Sequence, residues 1–432
     1  MIAMKPHPSK LYVETTTRCN LRCAMCVKQS GGARIPDEDM SMDTFRALAP
    51  AFPHLDGIIL NGIGEPLLHP RLTDMIALAR STMDRGSIGF QTNGMLLTPA
   101  LARQLVEAGL DTICLSVDMV KGDTLFHGGE DVSRMAHVFG SLRRAAQDAG
   151  RDLSIGVEFV LMRDTAEALP RSLAWAATQG ARFALVSHML PHDPAMAHQS
   201  LFNPNTDASM AEFARWLDEA KTRNIDLSRY FDILWKFYKT PEEAELVRFV
   251  MERQHTAQER GIPIHLSSLM HWSGPEKQAE QAWLADILHQ ARAVAEQHGL
   301  DATLPPVAAT LARTCEFLEH GVAHITAHGD VRPCYFLWHE YSCVMDGGEK
   351  KITPRTFGNV RHTPILDIWN SPAYRQFRAE VLDYAYPYCS NCPVVPCSDV
   401  TGQGRDFERD CFGLDIPCGH CIWCMGGVRC LL

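Results

Sequence analysis

Residues 10–26 read "KLYVETTTRCNLRCAMC", and this segment decides the fold prediction. Its first part, "KLYVETT", is rich in apolar and β-branched residues and predicts a strand. Cys19, Cys23 and Cys26 follow at once, so we expect them on a loop at the carboxyl end of that strand, where α/β proteins carry their chemistry. Three thiolates at this spacing can hold three corners of a [4Fe–4S] cube and leave the fourth iron open. A zinc knuckle that lacks one ligand, or a chance grouping of small buried residues, is the alternative interpretation.

Five more apolar runs of the same kind follow in the first half of the chain. They are "GIILNG" (57–62), "SIGFQTNG" (87–94), "DTICLSVD" (111–118), "SIGVEFVLM" (154–162) and "ARFALVSHM" (181–189). Helical patterns with readable ends lie between them: Ser41 is placed to cap one helix, and another is expected to begin at Thr98-Pro99 and end at Gly109. Six strand–helix units therefore fit residues 10 to about 200. This predicts an α/β fold with a parallel sheet, as a partial (β/α)6 TIM-like barrel.

The rest of the chain divides into two regions of different character. Long helical patterns at 207–222, 241–260 and 276–298 predict a helical insert. From about residue 311 the chain is rich in Cys, Gly and Pro, which is typical of a small domain held by metal. The predicted domains are 1–200, 201–310 and 311–432.

Charge and hydropathy exclude several classes of partner. The 432 residues include 41 basic and 51 acidic side chains, a net charge of −10, and no Lys/Arg-rich run. This argues against nucleic acid or an anionic membrane as the main partner. No stretch approaches the roughly 18 consecutive apolar residues of a spanning helix, and the N-terminus has no apolar signal region. We therefore expect a cytoplasmic protein, in which the fifteen cysteines serve metal binding rather than disulfides.

With its CxxxCxxC spacing the cysteine loop resembles that of the radical S-adenosylmethionine superfamily, and Met25 stands at the position that is usually aromatic. "GIGEP" (62–66) is similar to the family's second-strand motif, with Gly64 and Glu65 implied at the amino group of S-adenosylmethionine. "QTNG" (91–94) and "SVD" (116–118) resemble the third- and fourth-strand motifs. The resemblance implies a cofactor site that contains Met25, Gly64, Glu65, Asn93, Ser116 and Asp118, with the last two on the ribose.

The C-terminal region resembles the SPASM subgroup of that superfamily. Cys315, thirteen residues, Gly329, four residues and Cys334 match its opening signature, and 357–378 is similar to its connecting segment. The remaining cysteines of this region that the resemblance implies as metal ligands are Cys389, Cys392, Cys397, Cys411, Cys418, Cys421 and Cys430.

How these cysteines share two auxiliary clusters is left open by their spacing. By analogy Cys315 and Cys334 hold one cluster with Cys411 or Cys343, and 389, 392 and 397 hold another with a cysteine of the tail "CGHCIWCMGGVRC" (418–430). The spacing in the tail also allows a zinc site with four thiolate ligands.

The resemblance implies an enzyme that reductively cleaves S-adenosylmethionine to a 5′-deoxyadenosyl radical, which abstracts hydrogen from a substrate. It implies one cofactor-binding [4Fe–4S] cluster, two auxiliary clusters, and a low-potential electron donor such as flavodoxin or ferredoxin. The expected substrate is a peptide, a protein or a metalloenzyme undergoing maturation, since the tail is similar to that of maturases of tungsten-cofactor oxidoreductases. The alternatives are a radical dehydrogenase of a small molecule and a non-catalytic iron–sulfur carrier or scaffold. No catalytic acid or base is assigned.

Overall fold

The computed structural model describes residues 5–31, 33–83, 85–117, 120–121, 124–125, 132–389, 412–414 and 417–431. Its first half alternates strands with helices, as the sequence predicts. The elements are β1 (Lys10–Val13), α1 (Met42–Arg46), β2 (Gly57–Ile59), α2 (Leu72–Thr82), β3 (Ser87–Thr92), α3 (Pro99–Ala108), β4 (Thr112–Ser116), β5 (Val120–Lys121), β6 (Thr124–Leu125), α4 (Val132–Asp148), β7 (Ser154–Leu161), α5 (Leu169–Gln179) and β8 (Phe183–His188).

The six predicted strands form one parallel sheet in the order β1-β2-β3-β4-β7-β8. Their central residues are buried on both faces because helices cover one side and the barrel interior the other, which explains the nearly continuous apolar runs. Among the described strands no ladder joins β8 to β1, so the sheet remains an open, partial barrel. The predicted α/β fold with a parallel sheet is confirmed.

The helix ends that the sequence indicates are also confirmed. The Ser41 side chain accepts a hydrogen bond from the backbone of Thr44 at the start of α1. Thr98 does the same for Leu101 at the start of α3, which ends at Gly109 with a left-handed φ of 115°. A glycine fits this position because a β-carbon is disfavoured there.

The region after β8 contains one small strand and five helices. They are β9 (Asn203–Thr206), α6 (Asp207–Thr222), α7 (Tyr230–Leu234), α8 (Pro241–Glu259), α9 (Leu266–Trp272) and α10 (Pro275–His298). Helices α6 to α9 share a separate apolar core that includes Phe213, Trp216 and Phe249. Helix α10 instead packs on α5 and contributes Leu284 and Ile287 to the main core.

The C-terminal region extends the same sheet. Its elements are β10 (Asp301–Thr303), β11 (Ala308–Ala309), α11 (Glu316–Glu319), β12 (Val322–Ile325), β13 (Asp330–Arg332), β14 (Tyr341–Met345), β15 (Gly348–Ile352), β16 (Gly358–Asn359), α12 (Ile365–Asn370) and α13 (Pro372–Asp383). Strand β10 adds to β8 and β12 to β1, both parallel, and β13 and β16 follow antiparallel beyond β12. Helix α10 and strand β10 complete a strand–helix–strand unit that begins with β8. Helices α6–α9 are therefore an insertion in the chain between β8 and α10. The domain limits 1–200, 201–310 and 311–432 remain predictions.

The C-terminal tail crosses from β8 to β1. Gly427 accepts a backbone hydrogen bond from His188 at 2.8 Å, and the backbone N–H of Arg429 donates to the Ser187 hydroxyl at 2.9 Å. On the other side, the Tyr12 hydroxyl donates to the carbonyl of Leu431 at 2.5 Å. The tail therefore ties together the two end strands of the six-strand barrel segment. No helix in the described ranges is both long and apolar enough to span a bilayer.

Candidate functional site

The loop that carries Cys19, Cys23 and Cys26 lies at the carboxyl end of β1, as predicted. Its turns are local: the backbone N–H of Cys26 donates to the carbonyl of Cys23 at 3.0 Å. Its base is fixed because the Thr16 hydroxyl and the Arg18 guanidinium both bind the Asp39 carboxylate, at 2.6 and 2.7 Å. Cys19 is exposed and the other two thiols are half-buried, so the loop presents all three outward from a fixed base.

The second-strand motif packs directly on the cysteine loop through Gly64. A β-carbon at this position would lie 2.4 Å from the Thr16 carbonyl oxygen and 2.5 Å from that of Arg18. The glycine is therefore required for the approach of two backbone segments. The next residue, Glu65, donates its backbone N–H to the Arg18 carbonyl at 2.8 Å.

The carboxylate of Glu65 is buried and held by three donors. The Thr92 hydroxyl and the backbone N–H groups of Leu67 and Asn93 donate to it at 2.6, 3.0 and 2.9 Å. Burial nevertheless raises its pKa above the usual value, and these hydrogen bonds offset the effect only in part. No Lys, Arg or His of the described ranges forms an ion pair with this carboxylate, and a buried carboxylate of this kind suits a ligand that brings a positive charge.

The third- and fourth-strand motifs complete the same edge of the sheet. The Asn93 side chain donates to the side-chain oxygen of Asn20 in the cysteine loop at 3.0 Å. Ser116, the last residue of β4, donates its hydroxyl to Glu158 at 3.5 Å. Asp118 lies outside the described residues.

These residues meet at one cavity of about 390 Å³, which we call the strand-end cavity. Its walls include eight predicted site residues: Cys19, Cys23, Met25, Cys26, Gly64, Glu65, Asn93 and Ser116. The structure therefore brings these predicted residues together at one cavity, and their binding of the cofactor remains a prediction. The cavity also has walls from β7, β8 and the C-terminal region, including His188, Trp338 and Trp423.

Sequence analysis missed a polar ladder that crosses the strand-end cavity. Asn61 donates to Gln91 at 2.9 Å, and Gln91 donates to Glu158 at 2.5 Å. Burial raises the pKa of Glu158 to about 7. The signal that would have found it is a single charged residue in the middle of the apolar run "SIGVEFVLM".

A second group of cysteines lines a pocket in the C-terminal region, which we call the thiol pocket. The cysteines are Cys315, Cys334, Cys418, Cys421 and Cys424, and aromatic and aliphatic side chains surround them. Burial, together with nearby Cys421, raises the pKa of Cys315 to about 12. The guanidinium of Arg313 lies next to these thiols and stacks on the ring of Tyr386.

The remaining described cysteines lie around this pocket. Cys343 is buried on β14, and it is not among the residues that line the thiol pocket. Cys389 donates its backbone N–H to the carbonyl of Gly419 at 2.9 Å, beside the tail. The Cys430 sulfur accepts from the indole N–H of Trp423 at 3.3 Å. Cys392, Cys397 and Cys411 lie outside the described residues.

The thiol pocket groups the cysteines differently from the analogy used above. It joins Cys315 and Cys334 to the tail residues Cys418 and Cys421, and adds Cys424, which the sequence analysis considered only as one of the four tail thiolates of the zinc alternative. Within the described ranges, no three His, Cys, Asp or Glu side chains are arranged around the position of a single metal ion. Trp423 lines both the thiol pocket and the strand-end cavity, so the two adjoin at this residue.

Two family models match this chain. The model of the radical SAM superfamily matches residues 13–167, and that of the SPASM iron–sulfur cluster-binding domain matches residues 315–393. The chain carries a radical SAM domain and a SPASM domain. Members with both domains use S-adenosylmethionine and [4Fe–4S] clusters, so these are the cofactors of this radical SAM protein.

Two curated relatives are informative about this radical SAM protein. It is 28% identical to the tungsten-containing aldehyde ferredoxin oxidoreductase cofactor-modifying protein of Pyrococcus furiosus, over 97% of this chain and 96% of the relative. It is 36% identical to the GTP 3′,8-cyclase of Chlorobaculum tepidum over 24% of this chain and 32% of the relative. Among solved structures, one similar chain is SuiB of Streptococcus suis bound to S-adenosylmethionine. The match covers 87% of this chain and 69% of SuiB, at 13% sequence identity and a TM-score of 0.47.

The residues of both sites fit these cofactors. Three thiols at a cavity lined by both polar and apolar residues can supply three of the four ligands of a cubane, and the adjoining space can accept a ligand of the open iron. In the thiol pocket, five sulfur donors exceed the four that one cubane needs. The zinc alternative for the tail remains a hypothesis.

Proposed function

We propose that this radical SAM protein reductively cleaves S-adenosylmethionine and uses the resulting 5′-deoxyadenosyl radical to abstract hydrogen from a substrate. The observation that carries the proposal is the strand-end cavity, where the three loop cysteines stand beside Glu65, Asn93 and Ser116. When bound, the cluster supplies the electron that breaks the sulfonium bond.

The chain's own residues bind and orient the cofactor in this proposal. Cys19, Cys23 and Cys26 hold three irons, and the Glu65 carboxylate pairs with the ammonium group. Met25 and Asn93 also line the cavity. The tail residues that bind Ser187 and Tyr12 lie against β8 and β1, and in this proposal they help to keep water out of the reaction space.

For the substrate we propose a metalloenzyme or its cofactor undergoing maturation, with a peptide or protein as the broader class. The support is the relative named for modifying the cofactor of a tungsten enzyme, which aligns with almost the whole chain. A low-potential donor such as flavodoxin or ferredoxin would supply the electron. A carrier or scaffold role is disfavoured because neither needs a cofactor cavity beside the cysteine loop.

The test is anaerobic incubation of the reconstituted, dithionite-reduced protein with S-adenosylmethionine. We expect 5′-deoxyadenosine and methionine in equal amounts, measured by chromatography and mass spectrometry. Replacing Cys19, Cys23 and Cys26 together with alanine is expected to abolish both products. If the wild-type protein holds a full set of clusters and forms no 5′-deoxyadenosine, the proposed activity is wrong.

A further inference from the structure

A second cavity lies beside the strand-end cavity, and we call it the hairpin cavity. Its volume is about 480 Å³, larger than the 390 Å³ of the strand-end cavity. Its walls come from the segment after β8, from α9, from the β14–β15 hairpin and from the tail, and the described wall residues include none of those predicted to bind the cofactor or a cluster. Met189 and Leu190 line both cavities, so the two adjoin along this segment.

Two histidines, His188 and His192, flank that shared segment in the chain, and both line the strand-end cavity. The Nε2 atom of His188 lies 2.8 Å from the carbonyl oxygen of Pro306 and donates to it, because a carbonyl can only accept. His192 likewise donates to the backbone carbonyl of Ser342. In both rings the other nitrogen, Nδ1, is buried and has no hydrogen-bond partner among the described residues.

Both rings are neutral at pH 7, because burial lowers the pKa of each histidine to about 4. A neutral imidazole that donates through Nε2 keeps a lone pair on Nδ1, so each ring presents an acceptor. A buried acceptor without a partner is unfavourable unless a ligand or a water molecule supplies a donor. The pair therefore suits a ligand that carries N–H or O–H groups.

The hairpin cavity suits the body of such a ligand. Its wall combines three methionines with two aromatic rings, namely Met189, Met345, Met425, Phe202 and Trp272. Methionine adapts to irregular shapes, and aromatic rings offer flat apolar contact area. The charged wall residues Lys277 and Asp346 have opposite signs, so the wall favours neither an anion nor a cation. The volume lies in the range of small-molecule sites.

We propose that the hairpin cavity binds the substrate, and that this substrate is a small molecule whose N–H or O–H groups bond to Nδ1 of His188 and His192. This inference rests on the proposed function and narrows its substrate class. Of the two forms named above, a metalloenzyme or its cofactor, it selects a molecule of cofactor size over the intact protein. The bound molecule extends from the hairpin cavity, past Met189 and Leu190, to the strand-end cavity.

The test uses substitutions that separate the two nitrogens of His188. The amide nitrogen of glutamine takes the place of Nε2, so His188→Gln keeps the bond to Pro306 and loses the Nδ1 acceptor. Asparagine does the reverse, because its side-chain oxygen takes the place of Nδ1. If the ring binds a substrate donor, His188→Asn should bind the substrate more tightly than His188→Gln. A ring that only supports the fold gives the opposite order.

The probe is the ultrafiltrate of an extract from source cells that lack this gene, in which the substrate accumulates. Reconstituted, dithionite-reduced protein receives S-adenosylmethionine and increasing ultrafiltrate, and 5′-deoxyadenosine is measured by chromatography. We expect the ultrafiltrate to accelerate its formation by the wild type. His188→Gln and His192→Gln should each need about 2-fold to 10-fold more ultrafiltrate for half-maximal acceleration, as for one lost hydrogen bond between neutral groups.

Ser267→Trp tests the hairpin cavity itself. Ser267 is exposed and lines this cavity from α9, so an indole there fills space that the substrate needs and replaces no buried side chain. This variant should also need more ultrafiltrate. Ala293→Trp is the matched control, because Ala293 is exposed on α10 and lines neither cavity. It should respond like the wild type, and iron analysis of every variant checks that the clusters are intact.

An ultrafiltrate that does not accelerate the reaction would overturn the small-molecule assignment, and so would acceleration by the retained protein fraction alone. A wild-type response of both glutamine variants would overturn the role of the histidines. An equal loss of affinity for S-adenosylhomocysteine, measured by calorimetry, would do the same, since the histidines would then serve the cofactor. If the fully loaded wild type forms no 5′-deoxyadenosine at all, the proposed function fails instead, so the two failures are distinguishable.

Discussion

Two buried carboxylates, Glu65 and Glu158, face the same cavity, and burial raises the pKa of both. They differ in their donors, because Glu65 has three and the free oxygen of Glu158 has none among the described residues. Glu65 is held rigidly beside the cysteine loop, and Glu158 is left with capacity for a ligand.

We expect Glu65→Gln to weaken binding of S-adenosylmethionine by about 1–3 kcal/mol, the range for a charge-assisted hydrogen bond. The amide keeps the shape but loses the charge that pairs with the ammonium. Iron content should not change, since Glu65 contacts the cysteine loop through its backbone N–H. Calorimetry measures the affinity, and iron analysis measures the cluster content. An unaltered affinity would show that the ammonium group binds elsewhere.

Glu158 also predicts a pH dependence of stability. Its pKa is about 7 in the folded protein against an ordinary 4.5, so folding takes up a proton between these values. The wild type should therefore lose stability as the pH rises from 5.5 to 8, by up to about 2 kcal/mol, and change little above pH 8 from this group. Nearby Cys430 and Cys114 remain neutral in this range because their pKa values are raised by burial.

Denaturant unfolding of the wild type and Glu158→Gln at pH 5.5 and pH 8 measures this effect. Other groups, such as His188 with a pKa lowered to about 4, titrate in both proteins and cancel in the difference. The stability of the variant relative to the wild type should rise between the two pH values. A difference that is the same at both would mean that Glu158 does not titrate near pH 7.

At the level of elements, the cysteine loop and the second-strand motif behave as one unit. Gly64 packs against the backbone of Thr16 and Arg18, and Arg18 in turn binds Asp39 and the carbonyl of Leu68. The loop that holds the cluster is thus positioned by the loop that holds Glu65. A disturbance of one should displace the other.

Gly64→Ala tests this coupling. Its β-carbon would meet two carbonyl oxygens at 2.4 and 2.5 Å, and backbone atoms cannot yield as a flexible side chain can. We expect loss of about four irons per chain, the content of one cubane, with the other iron retained. Gly140→Ala is the matched control, because no atom lies within 4 Å of its β-carbon and it lies inside α4. The Gly140→Ala variant should keep all its iron and gain about 1 kcal/mol in free energy of unfolding. A full iron content in Gly64→Ala would contradict the coupling.

The elements also show how far the sequence could be interpreted. The six barrel strands were predictable because strands buried on both faces must be apolar along their whole length. The packing of α10 on α5 was not predictable. The apolar face of an amphipathic helix indicates that the helix packs on another element, but it does not identify that element. Glu158 was missed because a single charge in a strand carries no motif, and its partners Gln91 and Ser116 come from other strands.

At the scale of the whole molecule, the two sites lie in one continuous core and share a wall. Cys315 and Cys334 meet Cys418 and Cys421 only because the tail folds back across the sheet, a contact that spacing along the chain cannot predict. Trp423 stands between this thiol pocket and the strand-end cavity. The two iron–sulfur sites are therefore neighbours in space but separate in their ligands.

Separate ligands predict separate loss of iron. We expect three clusters in the wild type, one at the N-terminal loop and two in the C-terminal region. Replacing Cys19, Cys23 and Cys26 with alanine should remove about four irons and all cleavage of S-adenosylmethionine, with the auxiliary iron retained. Replacing Cys315 and Cys334 should also remove about four irons, but it should leave cleavage to 5′-deoxyadenosine measurable.

Iron analysis and electron paramagnetic resonance of the two variants decide between this arrangement and its alternatives. Full iron in the Cys315/Cys334 variant would mean that the thiol pocket holds no cluster, and stoichiometric zinc in the wild type would favour the tetrathiolate site of the tail. Loss of all iron from either variant would mean that metal binding and folding are coupled across the whole core, as in small metal-held domains. The continuous packing between β1 and β12 makes the second variant the more sensitive one, because β12 lies between its two cysteines.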